Sequence, residues 1–176
     1  PVGGEISAGS TAIVMEIRLP RILAAIAVGA ALATSGAAFQ SLLRNPLADP
    51  YVLGTSSGAA LGAAIAFLVP ITGIAWELGG VQLAAFIGAL ASVALVWRIA
   101  GIGSGEERIA SVLLVGYAVA SLLAAALSLV MLASGANLRA IFGFLLGGLD
   151  GVTWPRLAAA ALPIAIATLL LVRRGR

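Results

Sequence analysis

Cysteine, histidine and lysine are all missing from these 176 residues. Without cysteine the chain can form no disulfide, thiolate metal site or iron–sulfur cluster. Without histidine it lacks the usual general base and the commonest metal ligand. Without lysine no P-loop can be built, so if ATP is used it is bound by another subunit. Charge is scarce as well: charged residues make up 10% of the chain, against about a quarter in a soluble domain. Catalytic residues, metal ligands and a resident cofactor are therefore not expected.

What fills the chain instead is apolar. Mean hydropathy is +1.14, so little of the surface can be meant for water, and an all-α integral membrane protein is expected. A net charge of +3 invites a nucleic-acid reading, but all ten basic residues are arginines, scattered mostly at the ends of apolar runs. That is where side chains snorkel to an interface, and nucleic acid is set aside as a partner. The first residue is proline and no cleavable leader precedes Arg18, so a segment of a longer protein is expected.

Residues 1–17 lack a spanning apolar run and read as a loop or surface helix at one interface. The first span covers about 18–43, with Pro20 tolerated in a first helical turn. Ala25, Gly29, Ala33, Ala37 and Ser41 give it a small-residue stripe along which another helix can approach. Asn45, Pro46, Asp49 and Pro50 then break the helix, because a residue before proline is pushed out of the α region. A second span, about 52–69, opens on Gly54, Thr55, Ser56, Ser57 and Gly58, with Gly54, Gly58 and Gly62 forming a tandem GxxxG. A turn at 70–77 carries Trp76 as an interfacial anchor. Further spans cover about 78–97, 109–133 and 154–172, the last with a kink expected at Pro163. Residues 138–149 are too short to cross and read as an interfacial or partly re-entrant helix. The expected fold is a polytopic bundle of about five transmembrane helices forming a single unit.

With five crossings the arginines divide by side. Arg44, Arg98, Arg108, Arg173, Arg174 and Arg176 share one, and Arg18, Arg21, Arg139 and Arg156 the other. The positive-inside rule makes the first side cytoplasmic.

Four groups invite a functional reading. The 54–58 segment matches the G-x-S-x-G nucleophile pattern, yet neither histidine nor lysine is present to activate a serine, so it reads as helix packing. Glu106 and Glu107 beside Arg108 are a carboxylate pair for proton work or, more simply, a solvated loop near a partner subunit. Tyr117, Ser121 and Ser128 either line a pathway or bond quietly to their own helix. Arg18 and Arg21 are either interface anchors or a fixed positive point for the carboxylates of a docking protein.

The residues also resemble a family. RLPR at 18–21, GAAL at 29–32, SGA at 35–37 with Phe39 and Gln40, RNPLADP at 44–50 and LGTSSGA at 53–59 are similar to the FecCD-type permease subunits of ABC importers for iron-siderophores, haem and cobalamin. LLVG at 113–116 and FLLGGL at 144–149 through Trp154 resemble that family's later helices. The resemblance implies a type II ABC importer permease of the cytoplasmic membrane, of which this chain holds roughly the second to sixth of about ten spans. It implies a second permease copy, cytoplasmic ATP-binding subunits, an extracytoplasmic substrate-binding protein and surrounding lipid as partners. It implies that Arg18 and Arg21 receive acidic residues of the binding protein. By position it makes residues 104–111, including Ile109, Ala110 and Ser111, candidates for an inner gate, with Tyr117 and Ser121 on a helix bordering the path. Nothing here resembles the family's coupling helices, which lie in its later half. The expected function is translocation of an iron chelate, a siderophore first and haem or cobalamin as alternatives. A non-transporting membrane remnant or scaffold is the different class left standing.

Overall fold

A computed structural model of the chain describes residues 8–69, 79–101 and 106–174, and every regular element among them is helical. Helix α1 (Ala8–Ala12) continues through a π-helical turn, Ile13–Arg18, into α2 (Leu19–Leu43). Of the loop or surface helix expected up to residue 17, the described part is helical from Ala8 on and runs unbroken into the first span, so Pro20, expected in a first turn, lies inside it. An internal proline lacks an N–H, and its ring collides with the carbonyl four residues back. Widening the preceding turn relieves that collision, and the Leu19 N–H accordingly bonds the Val14 carbonyl five residues back.

A 3₁₀ turn at Pro50–Leu53 leads to α3 (Thr55–Leu68), followed by α4 (Gly80–Ala100) and α5 (Glu106–Ala133). A second 3₁₀ turn, Gly135–Asn137, precedes the short α6 (Leu138–Leu145), and α7 (Trp154–Arg174) closes the order. Among the described residues, four stretches are long and apolar enough to cross a membrane: Gly9–Leu43, Gly80–Ala100, Ile109–Ala133 and Trp154–Arg173. The second expected span is helical but short. With 14 residues α3 is about 21 Å long, below the ~30 Å of a hydrocarbon core. The reason is local, since the residues expected to start it form the 3₁₀ turn and a left-handed Gly54 at φ 71°. The interfacial helix expected at 138–149 is present as the eight-residue α6. The Trp76 turn, residues 1–7, 104–105 and 175–176, and the side chains of Glu106, Arg108 and Arg174 lie outside what is described.

The chain falls into two compact units. In the first, Phe39–Gly147, α3 packs between α4 and α5. Buried residues on α3 are small: Gly58, Ala63, Ala64 and Ala66. A Cβ on Gly58 would meet the Gly88 carbonyl oxygen at 2.5 Å and the Ser92 Cβ at 2.8 Å. Gly62 lies equally close to the Ala84 carbonyl, Gly88 to that of Gly58, and Gly116 on α5 to that of Val52. Helix backbones thus touch with room for a hydrogen and nothing larger. Because lipid is as apolar as any side chain, such dispersion contact replaces the hydrophobic effect as the source of association. Phe67 and Phe144 meet edge to face at 6.3 Å and tie α6 to α3.

The second unit comprises Pro1–Ala38 and Gly148–Arg176. No residue of α7 with a described side chain is buried, and the helix continues through Pro163. The stripe expected along α2 is present but uncovered: Ala25, Gly29, Ala33, Ala37 and Ser41 are exposed, and a Cβ on Gly29 would meet nothing within 4 Å.

Replacing Gly58 or Gly88 with valine is expected to destabilise the α3–α4 pair by about 1–3 kcal/mol or more, as overpacking does. Thermal unfolding in detergent should show a lower midpoint for both variants. Gly143→Ala, at a site with nothing within 4 Å, should leave it in place.

Candidate functional site

The arginine end belongs to the second unit. Arg18 closes the π turn; it is exposed and, among the described residues, makes no hydrogen bond or ion pair. Arg21, one turn into α2, is engaged. Its Nη1 lies 3.3 Å from Oδ1 of Asp150, its Nη2 donates to the Asp150 carbonyl at 3.1 Å, and its Nε is buried without a partner. Asp150 sits in a turn closed by the Val152 N–H on the Leu149 carbonyl, and the next carbonyl, of Gly151, accepts from Arg156 Nη1 at 2.8 Å. Two arginines from two helices therefore hold consecutive carbonyls of one turn.

A further bond follows from Pro20. In the π register the Met15 carbonyl looks five residues ahead for its donor, and residue 20 has no N–H. The indole Nε1 of Trp154 donates to that carbonyl at 3.1 Å instead. Trp154, expected only as an aromatic anchor, fills the vacancy that Pro20 creates.

At the far end of α2 the NPLADP turn lies in the first unit, and its hydrogen bonds explain its residue types. Arg44 takes the left-handed conformation at φ 48°, with the Arg44 N–H on the Ser41 carbonyl and the Asn45 N–H on that of Gln40, the two bonds of a Schellman end. Asn45 Oδ1 accepts from the Leu47 N–H at 2.9 Å, and Pro46 presets the turn that the Ala48 N–H closes on the Asn45 carbonyl. Asp49 Oδ1 caps the 3₁₀ turn by accepting from the Tyr51 N–H at 2.8 Å, with Pro50 in its first position. Gly54 suits its place because its backbone is left-handed, a conformation that costs a side chain, while a Cβ there would only reach ordinary contact with Ala120 at 3.4 Å. Ser56 and Ser57 sit half-buried in the first turn of α3, and Gly58 and Gly62 make the α4 contact. The segment is a packing device.

The expected pathway residues are not brought to one place. Ile109 lines an apolar cavity of about 460 Å³ together with Phe39, Leu42, Leu53, Trp97 and Val112. Ala110 is exposed and Ser111 half-buried. Tyr117 stands eight residues, about 12 Å, further along α5 and is 71% exposed. The hydroxyls of Ser121 and Ser128 donate to the carbonyls of Tyr117 and Ala124, four residues back, at 2.9 and 3.0 Å. Both bond their own helix, and the cavity wall presents almost no polar atoms.

A family model described as the FecCD transport family matches residues 2–176. The chain belongs to this family. It is 42% identical to the cobalamin import system permease protein BtuC of Halobacterium salinarum, over 93% of this chain and 43% of that protein. It is 38% identical to the hemin transport system permease protein HmuU of Yersinia pestis, over 91% and 49% of the two lengths. It is 34% identical to the ferric enterobactin transport system permease protein FepG of Escherichia coli, over 98% and 52%. A solved structure of a metal-chelate type ABC transporter in an inward-facing conformation matches with a TM-score of 0.83 at 26% identity, covering 98% of this chain and 54% of that one. The chain spans about half the length of the relatives it matches.

Within this FecCD segment, Asp150 is what a reading of the sequence overlooked. The Asp150–Gly151 pair is a turn signal, and in the sequence it falls between Arg139 and Arg156, which the arginine count groups with Arg18 and Arg21. Counting arginines alone, as the positive-inside rule does, leaves out the carboxylates near them, Asp150 as well as Glu16.

The Trp154 bond has a measurable weight. Trp154→Phe keeps the ring and removes the N–H, so it is expected to cost about 0.5–1.5 kcal/mol. Amide exchange within 13–19 should speed up by roughly two- to tenfold, and unchanged exchange would mean the indole holds nothing there.

Proposed function

We propose that this chain is a membrane-spanning segment of an ABC importer permease that moves an iron chelate across the cytoplasmic membrane by alternating access. The observation that carries the reading is the FecCD match over residues 2–176, supported by relatives named as import-system permeases. Those relatives are named for cobalamin, hemin and ferric enterobactin, three large organic chelates of cobalt or iron. A ferric siderophore is the first choice of cargo on the resemblance of the residues, with haem or cobalamin as the alternatives.

No chemistry on the cargo is required. ATP-binding subunits, a second permease copy and an extracytoplasmic binding protein belong to this reading, and the absence of lysine from the chain fits an ATP site elsewhere. ATP binding there would bias inward-open against outward-open states, and helices meeting through glycine and alanine faces can shift while remaining packed. Arg18 and Arg21 are the proposed contact for the binding protein, since guanidinium groups match carboxylates in planar, two-toothed geometry.

Uptake by the intact transporter, with its binding protein loaded in turn with a ferric siderophore, hemin or cobalamin, is expected to favour an iron chelate. Uptake of cobalamin alone would overturn the cargo assignment. Reversing both arginines to glutamate should weaken binding-protein affinity about tenfold or more and reduce the ATPase stimulation it causes. Unchanged affinity and stimulation would remove the docking role.

A further inference from the structure

We propose that Asp150 is an internal stand-in for a partner's carboxylate at Arg21, holding the docking residue occupied until an acidic segment of the binding protein displaces it. The proposal rests on the docking role of Arg21 given above and adds a competitor built into the chain.

The two members of the pair are held very differently. The Arg21 side chain is 39% exposed with its Nε buried, so the guanidinium is fixed from behind and presents its Nη edge. The Asp150 side chain is 91% exposed. At 3.3 Å its Oδ1 stands beyond the 2.7–2.9 Å of a strong charge-assisted bond. A pair this open to water is screened and contributes little, which suits a contact meant to be exchanged. An external carboxylate arriving with both oxygens gains the geometry that Asp150 does not use.

Exchange need not unmoor the loop. The Asp150 carbonyl keeps its own bond to Nη2, the Gly151 carbonyl stays on Arg156, and the Val152 N–H stays on the Leu149 carbonyl. The carboxylate can leave while the turn that carries it remains in place. The charge balance then changes at one point: with Asp150 turned away, Arg18, Arg21 and Arg156 face a partner with only Glu16 opposing them among the described residues of this unit. In its resting position Asp150 discourages anions that offer a single weak contact and yields to a carboxylate able to grip the fork. Arg18, without a partner among the described residues, is the open neighbour from which such a segment can begin.

Binding-protein affinity measured on the intact transporter in lipid nanodiscs, for the wild type, Asp150→Asn, Asp150→Ser, Arg21→Ala and the Arg21→Ala/Asp150→Asn double variant, tests this. Both Asp150 substitutions are expected to tighten binding by about three- to fivefold at low salt, with the gain shrinking as salt screens the pair. Arg21→Ala should weaken binding, and on that background Asp150→Asn should add nothing. If Arg21→Ala weakens binding while both Asp150 variants match or fall below the wild type, the stand-in is overturned and the docking role survives. The stand-in is likewise overturned if Asp150→Asn still tightens binding without Arg21. If Arg21→Ala leaves affinity unchanged, the docking role fails and the stand-in fails with it.

Discussion

Backbone meeting backbone along α3 is the contact on which the first unit depends. Lipid offers no reward for hiding apolar side chains, so helices there hold together only where their surfaces come close enough for dispersion to act. Gly58 and Gly62 on one helix, Ala84, Gly88 and Ser92 on the next, and Gly116 on a third remove the side chains that would keep them apart. The same closeness fixes the turn before α3. The Val52 carbonyl rests in the notch at Gly116, and the Ser92 hydroxyl reaches the Leu53 carbonyl at 3.4 Å while also bonding that of Ala89. Bundle packing and the NPLADP connection are therefore one arrangement.

Much of this could be read beforehand because the features are local. The tandem GxxxG at 54, 58 and 62 announced the packing face of α3, and two asparagine-or-aspartate–proline pairs within six residues left a turn as the only outcome. The expected ends of α4, α5, α6 and α7 fall within a few residues of those observed. Proline was harder. Pro20 fits a first turn, where its missing N–H is harmless, and equally fits an interior widened by one residue; a sequence pattern does not separate the two. α3 was overestimated for a related reason, because hydropathy registers Val52 and Leu53 as apolar without registering that Gly54 turns left-handed after them.

The candidate site was less legible, since its contacts join residues far apart in sequence. Arg21 stood out as a charge at a helix end, but Asp150 lies 129 residues away and acquires meaning only beside it. Trp154 and Met15, 139 residues apart, are joined by a need that arises from the helical register around Pro20. Tyr117 and Ser121 illustrate the opposite limit: their polarity drew notice, but Tyr117 is left exposed, and the Ser121 bond lies within its own helix.

The length of the first helix carries one more consequence. From Gly9 to Leu43 it has 35 residues, about 52 Å of helix against a hydrocarbon slab of ~30 Å. Tilting absorbs only part of the mismatch: even at 40°, the steep end of the usual range, the slab takes up about 39 Å. Some 13 Å, more than two turns, must stand clear of the lipid. With Leu43 at one edge of the slab, Glu16, Arg18 and Arg21 all stand past the other when the helix is upright, and at the steepest ordinary tilt that edge falls near Arg18, so the helix is a post whose tilt sets which of its charges are lifted clear.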